Sequence, residues 1–258
     1  MKEKIVEALS AEAEKRDCRI LFAVESGSRA WGFTSPDSDY DVRAVYIKPL
    51  DFYLGLDENP ADTWNVMLPG ELDVAAWDLR KMLRQMMKSN ANLLEWLESP
   101  IVYSGEDVIS ELRTLAEMAF DPKRVAFHYA AMMRHAMEDR GEDGIMSVKK
   151  LCYALRSSLC VQWVLEKSTM PPTKFVEVVA GLDLPWNVRD AIAGLLALKA
   201  TANEKDRIAP DAAFQTLLAD RLPEVERHSW SKSMPPTGAL KSDLEKFFRN
   251  TIRNERRV

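Results

Sequence analysis

Cysteine is scarce in this chain of 258 residues: Cys18, Cys152 and Cys160 are an odd number at no ligand-like spacing. Neither a disulfide framework nor a thiolate metal site is therefore expected, and a reducing, cytoplasmic setting fits best. Cys152 and Cys160, eight apart in a helix-like stretch, read as small buried hydrophobes. Histidine is equally sparse, and His128 and His135 lack a third ligand at sensible spacing, so zinc is not expected. No apolar run approaches the ~18 residues of a membrane span. The opening Met1-Lys2-Glu3-Lys4 carries no apolar signal core, so no membrane partner is expected. Positive charge is not in excess either. Lys and Arg total 35 against 40 Asp and Glu, a net charge of -5, which argues against a general binder of polyanions. A local basic groove stays open. What the chain has in quantity is apolar side chains, 47% of the total, ample for the core of one or two domains.

The two halves differ in texture. In the first, a short amphipathic helix over about 3–15 precedes an apolar run at Arg19–Val24 of strand length. A second strand is predicted at 40–47 and a third at 71–77, followed by a helix or helix pair over about 78–98. Strands separated by helices predict an α/β or α+β domain. From about Asp121 strand signals fade and helix-like runs follow one another to the C-terminus, with Pro171-Pro172 and Pro235-Pro236 punctuating the connections. The expected organisation is a strand-containing domain at residues 1–118, then an all-helical domain at 119–258.

The chemistry concentrates in ESGSRAWGFTSPDSDYDVR, residues 25–43. Gly27 and Ser28 directly after a buried strand let the backbone turn sharply and approach a bulky anion, with Ser28 adding a hydroxyl donor. That suits a triphosphate. Asp39 and Asp41 flank one strand residue, so alternation puts both carboxylates on one face, roughly 7 Å apart along the chain. Two hard oxygen donors so placed can share magnesium. A third carboxylate is needed to complete a two-metal arrangement. Asp73 on the third strand is the candidate, with Glu71 on the same side as the fallback. Arg29 reads as a triphosphate contact, and Arg43, sharing strand parity with the aspartates, as an internal ion-pair partner that orients them, with a purely structural salt bridge the alternative for both.

Gly27-Ser28, Asp39-Tyr40-Asp41 and the later Asp73 resemble, in order and spacing, the DNA polymerase beta-like nucleotidyltransferase superfamily, although Ser26 stands where a hydrophobe usually precedes the glycine. GSRAWGF, SPDSDYDVR, Tyr53-Leu54, ELDVAAWDLRK, KSNANLLEWLESPIVY and KKLCYALRSSLCVQW are further similar to the RlaP family of predicted, RNA ligase-associated nucleotidyltransferases. The resemblance spans roughly residues 21–163. It implies an α+β, polymerase beta-like core with a small mixed sheet followed by a helical domain, and an NTP co-substrate such as ATP with Mg2+ or Mn2+ held by Asp39, Asp41 and Asp73. An RNA end is the first-ranked acceptor. A protein or small-molecule hydroxyl is the alternative, and a non-catalytic nucleotide-binding or antitoxin-like module is the reading of a different class.

Lys149, Tyr153 and Arg156 recur at helical spacing and share a face. The family resemblance makes them nucleotide-binding residues, Lys149 and Arg156 on phosphates and Tyr153 on the base. On spacing alone they are a solvated basic stripe. Ser89, Asn90 and Asn92 read as the cap of a helix rather than a cleft lining. The C-terminal run, with Lys246, Arg249, Arg253, Arg256 and Arg257, reads as a helix with Phe247, Phe248 and Ile252 inward and its bases in solvent.

Overall fold

The computed structural model describes residues 1–56, 61–203, 205–230 and 238–254. They divide into two compact units. The first comprises residues 1–30 and 39–119 with the C-terminal helix; the second comprises residues 31–38 and the described residues from 120 to 230. In chain order the first unit carries α1 (Lys2–Lys15), β1 (Arg19–Glu25), α2 (Gly27–Trp31), β2 (Tyr40–Ile47), α3 (Leu50–Leu54), β3 (Thr63–Leu68), β4 (Leu72–Asp78), α4 (Leu79–Met86), α5 (Ala91–Leu97), β5 (Val102–Ser104) and α6 (Glu106–Ala119). The second carries α7 (Pro122–Met137), β6 (Met146–Ser147), α8 (Val148–Lys167), α9 (Phe175–Gly181), α10 (Trp186–Lys199), β7 (Arg207–Ile208) and α11 (Leu222–Arg227). The helix α12 (Gly238–Asn254) then returns to the first unit.

The first unit is built on a five-stranded mixed sheet in the order β3-β4-β2-β1-β5. The α+β expectation is met. The centre of the sheet is β2, antiparallel to β1 and parallel to β4. Its period of two decides the site. Val42, Ala44 and Tyr46 join Leu72, Val74 and Ala76 of β4 in a core cluster that Ile5 and Leu9 of α1 complete. Asp41 and Arg43 are thereby sent to the other face, together with Asp73 of β4. The edge strand β3 forms a hairpin with β4, turning through Gly70 and Glu71, both at positive φ.

The predicted helix over 78–98 is a pair. Ser89, at φ 53, breaks it, and the Asn90 side chain accepts from the Leu93 amide to cap α5, as the polar cluster predicts. Asp78 caps α4 by accepting from the Arg80 amide at 2.8 Å, and it also accepts from the Tyr53 hydroxyl at 2.6 Å. Burial pushes its carboxyl above the ordinary range, with the Tyr53 and Arg80 hydrogen bonds opposing. The helix α12 packs on α4 and α6 through a face that includes the buried Leu244 and Phe247, while Phe248 meets Tyr53 at 5.3 Å between ring centroids. Its grouping with the sheet rather than with the helical half was not visible from amphipathic periodicity, which shows that a face is covered and not by what. Arg256 and Arg257 lie outside the described residues.

In the second unit α7 and α8 form the principal helix pair. Residues 31–38, which connect α2 to β2, lie within this unit. Trp31 and Phe33 are buried and pack against Tyr153 and Phe175, and the Ser35 hydroxyl accepts from the buried Lys199 ammonium at 2.6 Å. Among the described residues no helix is long and apolar enough to cross a membrane.

Candidate active site

Parallel pairing of β2 with β4 places Asp41 directly beside Asp73. Two neighbouring carboxylates repel unless a cation lies between them. Arg43, two residues along the same strand face, supplies one. Its Nη2 donates to Asp41 Oδ1 at 2.8 Å and to Asp73 Oδ2 at 3.0 Å, while Nη1 donates to the Asp73 and Val42 carbonyls at 3.1 Å. One nitrogen, Nη2, thus bridges both carboxylates, while Nη1 ties the same planar guanidinium to the backbone and fixes its orientation, an anchoring that a lysine ammonium would lack. All three side chains keep partial solvent access.

The turn after β1 closes on this pair. Gly27 has φ +59, and a Cβ built on it would stand 2.1 Å from Asp41 Oδ2. The backbone angle favours glycine, and the carboxylate that lies against it leaves no room for any side chain. Behind the turn, the Ser26 amide donates to the Asp41 carbonyl at 2.9 Å. Glu25, wholly buried at the end of β1, accepts from the Asp41 amide through Oε1 at 2.8 Å and from the Tyr103 hydroxyl through Oε2. Burial pushes the Glu25 carboxyl above the ordinary range, opposed by those two hydrogen bonds. No motif in the sequence marks Glu25 for a role. The available signal was a lone carboxylate ending the otherwise apolar run RILFAV.

Arg29 braces the turn from the other side. Its Nε donates to the Asp39 carbonyl at 3.0 Å, and its guanidinium stacks over Tyr40 at 3.8 Å. Ser28 is buried beside Gly27. Glu71 sits in the exposed β3–β4 turn at φ 59, where its carbonyl accepts from the Tyr40 amide. The structure thus brings Gly27, Asp41, Asp73 and Arg43 together. Asp39 stands one residue before β2, and among the described residues no three His, Cys, Asp or Glu side chains converge to hold an ion. The Asp41–Asp73 pair nevertheless fits a hard cation in kind, because its facing oxygens already share one positive group.

Lys149, Tyr153 and Arg156 lie along α8 in the second unit. Lys149 and Tyr153 are half-buried, and Tyr153 meets Trp31 edge-on at 4.9 Å. Arg156 is 1% exposed, with its guanidinium over Trp31 at 4.4 Å and Nη2 donating to the Thr173 carbonyl at 3.1 Å. Its observed contacts make it part of this unit's interior. His135 is exposed and pairs with Glu138, and His128 stacks near Tyr129.

A sequence model of the RNA repair pathway DNA polymerase beta family, RlaP, matches residues 1–250. The chain belongs to this family. Membership in RlaP makes it a polymerase beta-like nucleotidyltransferase in family and fold. The uncharacterized protein YcgL of Bacillus subtilis is 34% identical over 256 residues, covering 98% of this chain and 96% of its own. A second uncharacterized protein, MJ0002 of Methanocaldococcus jannaschii, is 25% identical over 140 residues, covering 53% and 56%. Among solved structures, a nucleotidyltransferase-like protein from Exiguobacterium sibiricum aligns over 99% of this chain and 92% of its own, at 17% identity and a TM-score of 0.32.

Proposed function

We propose that this RlaP-family chain moves a nucleoside monophosphate from an NTP, ATP being one candidate, to an acceptor hydroxyl, and that the acceptor is an RNA end. The observation that carries the reading is the in-register pair Asp41 and Asp73, held by Arg43 and closed from one side by Gly27. In this reaction the acceptor hydroxyl gives up its proton to water, its oxygen bonds to the α-phosphorus, the bond from that phosphorus to the α–β bridging oxygen breaks, and pyrophosphate leaves. Asp41 and Asp73, with Asp39 as a further ligand, would hold Mg2+ or Mn2+. When bound, the ion would neutralise phosphate charge and acidify the acceptor hydroxyl.

The chain's own residues do the rest. The Gly27–Ser28 turn offers backbone and hydroxyl donors to the triphosphate, and Arg29, braced against Asp39 and Tyr40, adds positive charge beside it. Arg43 keeps the two carboxylates in place and limits their mutual repulsion while the site is empty of substrate. Rate enhancement comes from positioning and charge neutralisation rather than covalent chemistry. For Lys149, Tyr153 and Arg156 the family resemblance alone carries a nucleotide-binding role. The RNA acceptor is supported by the family's description as part of an RNA repair pathway.

The test incubates the protein with each α-labelled NTP, magnesium, and small RNA or a protein lysate, with Asp39→Ala alongside. Label entering RNA with the wild type alone supports the proposal and names the base. Label entering protein moves the acceptor to a protein hydroxyl. Pyrophosphate release without labelled macromolecule indicates a small-molecule acceptor. Magnesium-dependent nucleotide binding without pyrophosphate release indicates a non-catalytic module.

A further inference from the structure

Glu25 is 0% exposed at the end of the inner strand β1, yet no cation pairs with it in the hydrogen bonds that hold it. A carboxylate so placed costs free energy unless its oxygens are satisfied. Both are. Oε1 accepts the Asp41 amide N–H at 2.8 Å, and Oε2 accepts the Tyr103 hydroxyl from the neighbouring strand β5. Its backbone is fastened as well. The Glu25 amide donates to the Ile101 carbonyl at 2.9 Å, and its carbonyl accepts the Ser99 hydroxyl at 2.6 Å. Four hydrogen bonds thus immobilise one acidic residue, and one of them ends on the backbone of the residue that meets Arg43 and Gly27.

The Asp41 amide is the point where this matters. Its carbonyl already accepts from Ser26, so Glu25 and Ser26 grip the Asp41 peptide units from both sides. The Asp41 carboxylate in turn lies against the Gly27 Cα, with no room even for a methyl group. A small movement of the Asp41 backbone would carry the carboxylate into Gly27 or away from Asp73. We infer that Glu25 is a positioning residue: its carboxylate, braced by Tyr103, sets the place of Asp41 and thereby the cation affinity of the Asp41–Asp73 pair. The inference rests on the metal-dependent nucleotidyltransferase reading for its consequence, and on geometry alone for the clamp itself.

Reach and charge separate in two variants. Glu25→Gln keeps the reach of the side chain and an acceptor oxygen for the Asp41 amide but removes the charge. Glu25→Asp keeps the charge but is one methylene too short for Asp41. Outer-shell partners of metal ligands typically change affinity by roughly 10–100-fold when lost. Titrating the full-length protein with Mn2+, followed by electron paramagnetic resonance, Glu25→Asp is expected to bind about tenfold more weakly than wild type and Glu25→Gln within about threefold. Amide hydrogen exchange of the Asp41 N–H gives a readout independent of metal: faster by about tenfold or more in Glu25→Asp, little changed in Glu25→Gln.

Tyr103→Phe, which leaves the Asp41 hydrogen bond in place, is expected to fall between these two and keeps the test open if Glu25→Asp fails to fold. The inference is overturned if Asp41 exchange in Glu25→Asp matches wild type, or if Glu25→Gln and Tyr103→Phe lose Mn2+ while Glu25→Asp keeps it. Asp41→Asn serves as the reference. If wild type and Asp41→Asn bind Mn2+ alike, the metal assignment of the pair fails, and the exchange result then decides the clamp by itself.

Discussion

Replacing Gly27 with alanine tests the geometry of the site at its tightest point. The new Cβ would stand 2.1 Å from Asp41 Oδ2 and 2.9 Å from Asp41 Cγ. Ordinary van der Waals separation is roughly 3.5 Å, so the carboxylate must retreat by more than about 1 Å. It cannot do so freely, because its backbone is held by Glu25 and Ser26 and its Oδ1 by Arg43. Alanine at φ +59 adds about 1 kcal/mol of backbone strain. Overpacking, roughly 1–3 kcal/mol, brings the total to about 2–4 kcal/mol, a loss of several degrees or more in Tm. Activity is affected far more, since a displacement of about 1 Å at a reacting centre costs on the order of 100-fold. Differential scanning fluorimetry together with pyrophosphate release reads both. A folded Gly27→Ala protein that turns over within twofold of wild type would refute the placement of Asp41 against the turn.

Further outcomes follow from the same contacts. Arg43→Met leaves Asp41 and Asp73 facing each other without a shared cation, so its Tm should fall, and added Mn2+ should raise that Tm by more than it raises the wild type's; equal Mn2+ responses would mean that Arg43 and the ion do not share a place. Cys152 is fully buried and its thiol is pushed up to about 12 by burial, so iodoacetamide at mild alkaline pH should label Cys152 only after unfolding, as mass spectrometry of labelled peptides can check. Asp78 has a folded-state pKa raised by burial, so its contribution to stability is greatest below the ordinary carboxylate value of about 4 and is lost as pH rises through the raised value. The stability of wild type relative to Asp78→Asn should therefore decline as pH rises above about 4; a rise instead, in chemical denaturation, would contradict the assigned shift.

The strands that place the site were legible because they are central. The strand predicted over 40–47 is observed as β2 at those residues, and β1 and β4 agree with their predictions to within a residue at each end. Their two-sided demand, apolar core on one face and carboxylates on the other, writes itself into DYDVR and LDV. The edge strand β3 went unread, although Trp64, Val66 and Leu68 alternate ahead of Pro69-Gly70, because the apolar Met67 stands on the outward face and blurs the alternation. The three residues of β5 are too few for any period. What could not be read locally was pairing. That Asp41 lies beside Asp73, that Glu25 reaches the Asp41 amide 16 residues on, and that α12 belongs with the sheet are long-range facts. Arg156 illustrates the same limit, since helical spacing puts it on a face with Lys149 and Tyr153 but says nothing of the Trp31 ring over which it is buried.

The most direct test of the account is pyrophosphate release from NTP with magnesium and small RNA, comparing wild type with Asp41→Ala and Asp73→Ala in proteins shown to be folded by circular dichroism. Release by the wild type is expected, and its loss by roughly 10³-fold or more in both variants, on the scale of key catalytic groups. Wild-type rates in either folded variant would contradict the claim that this carboxylate pair is the centre of the chemistry.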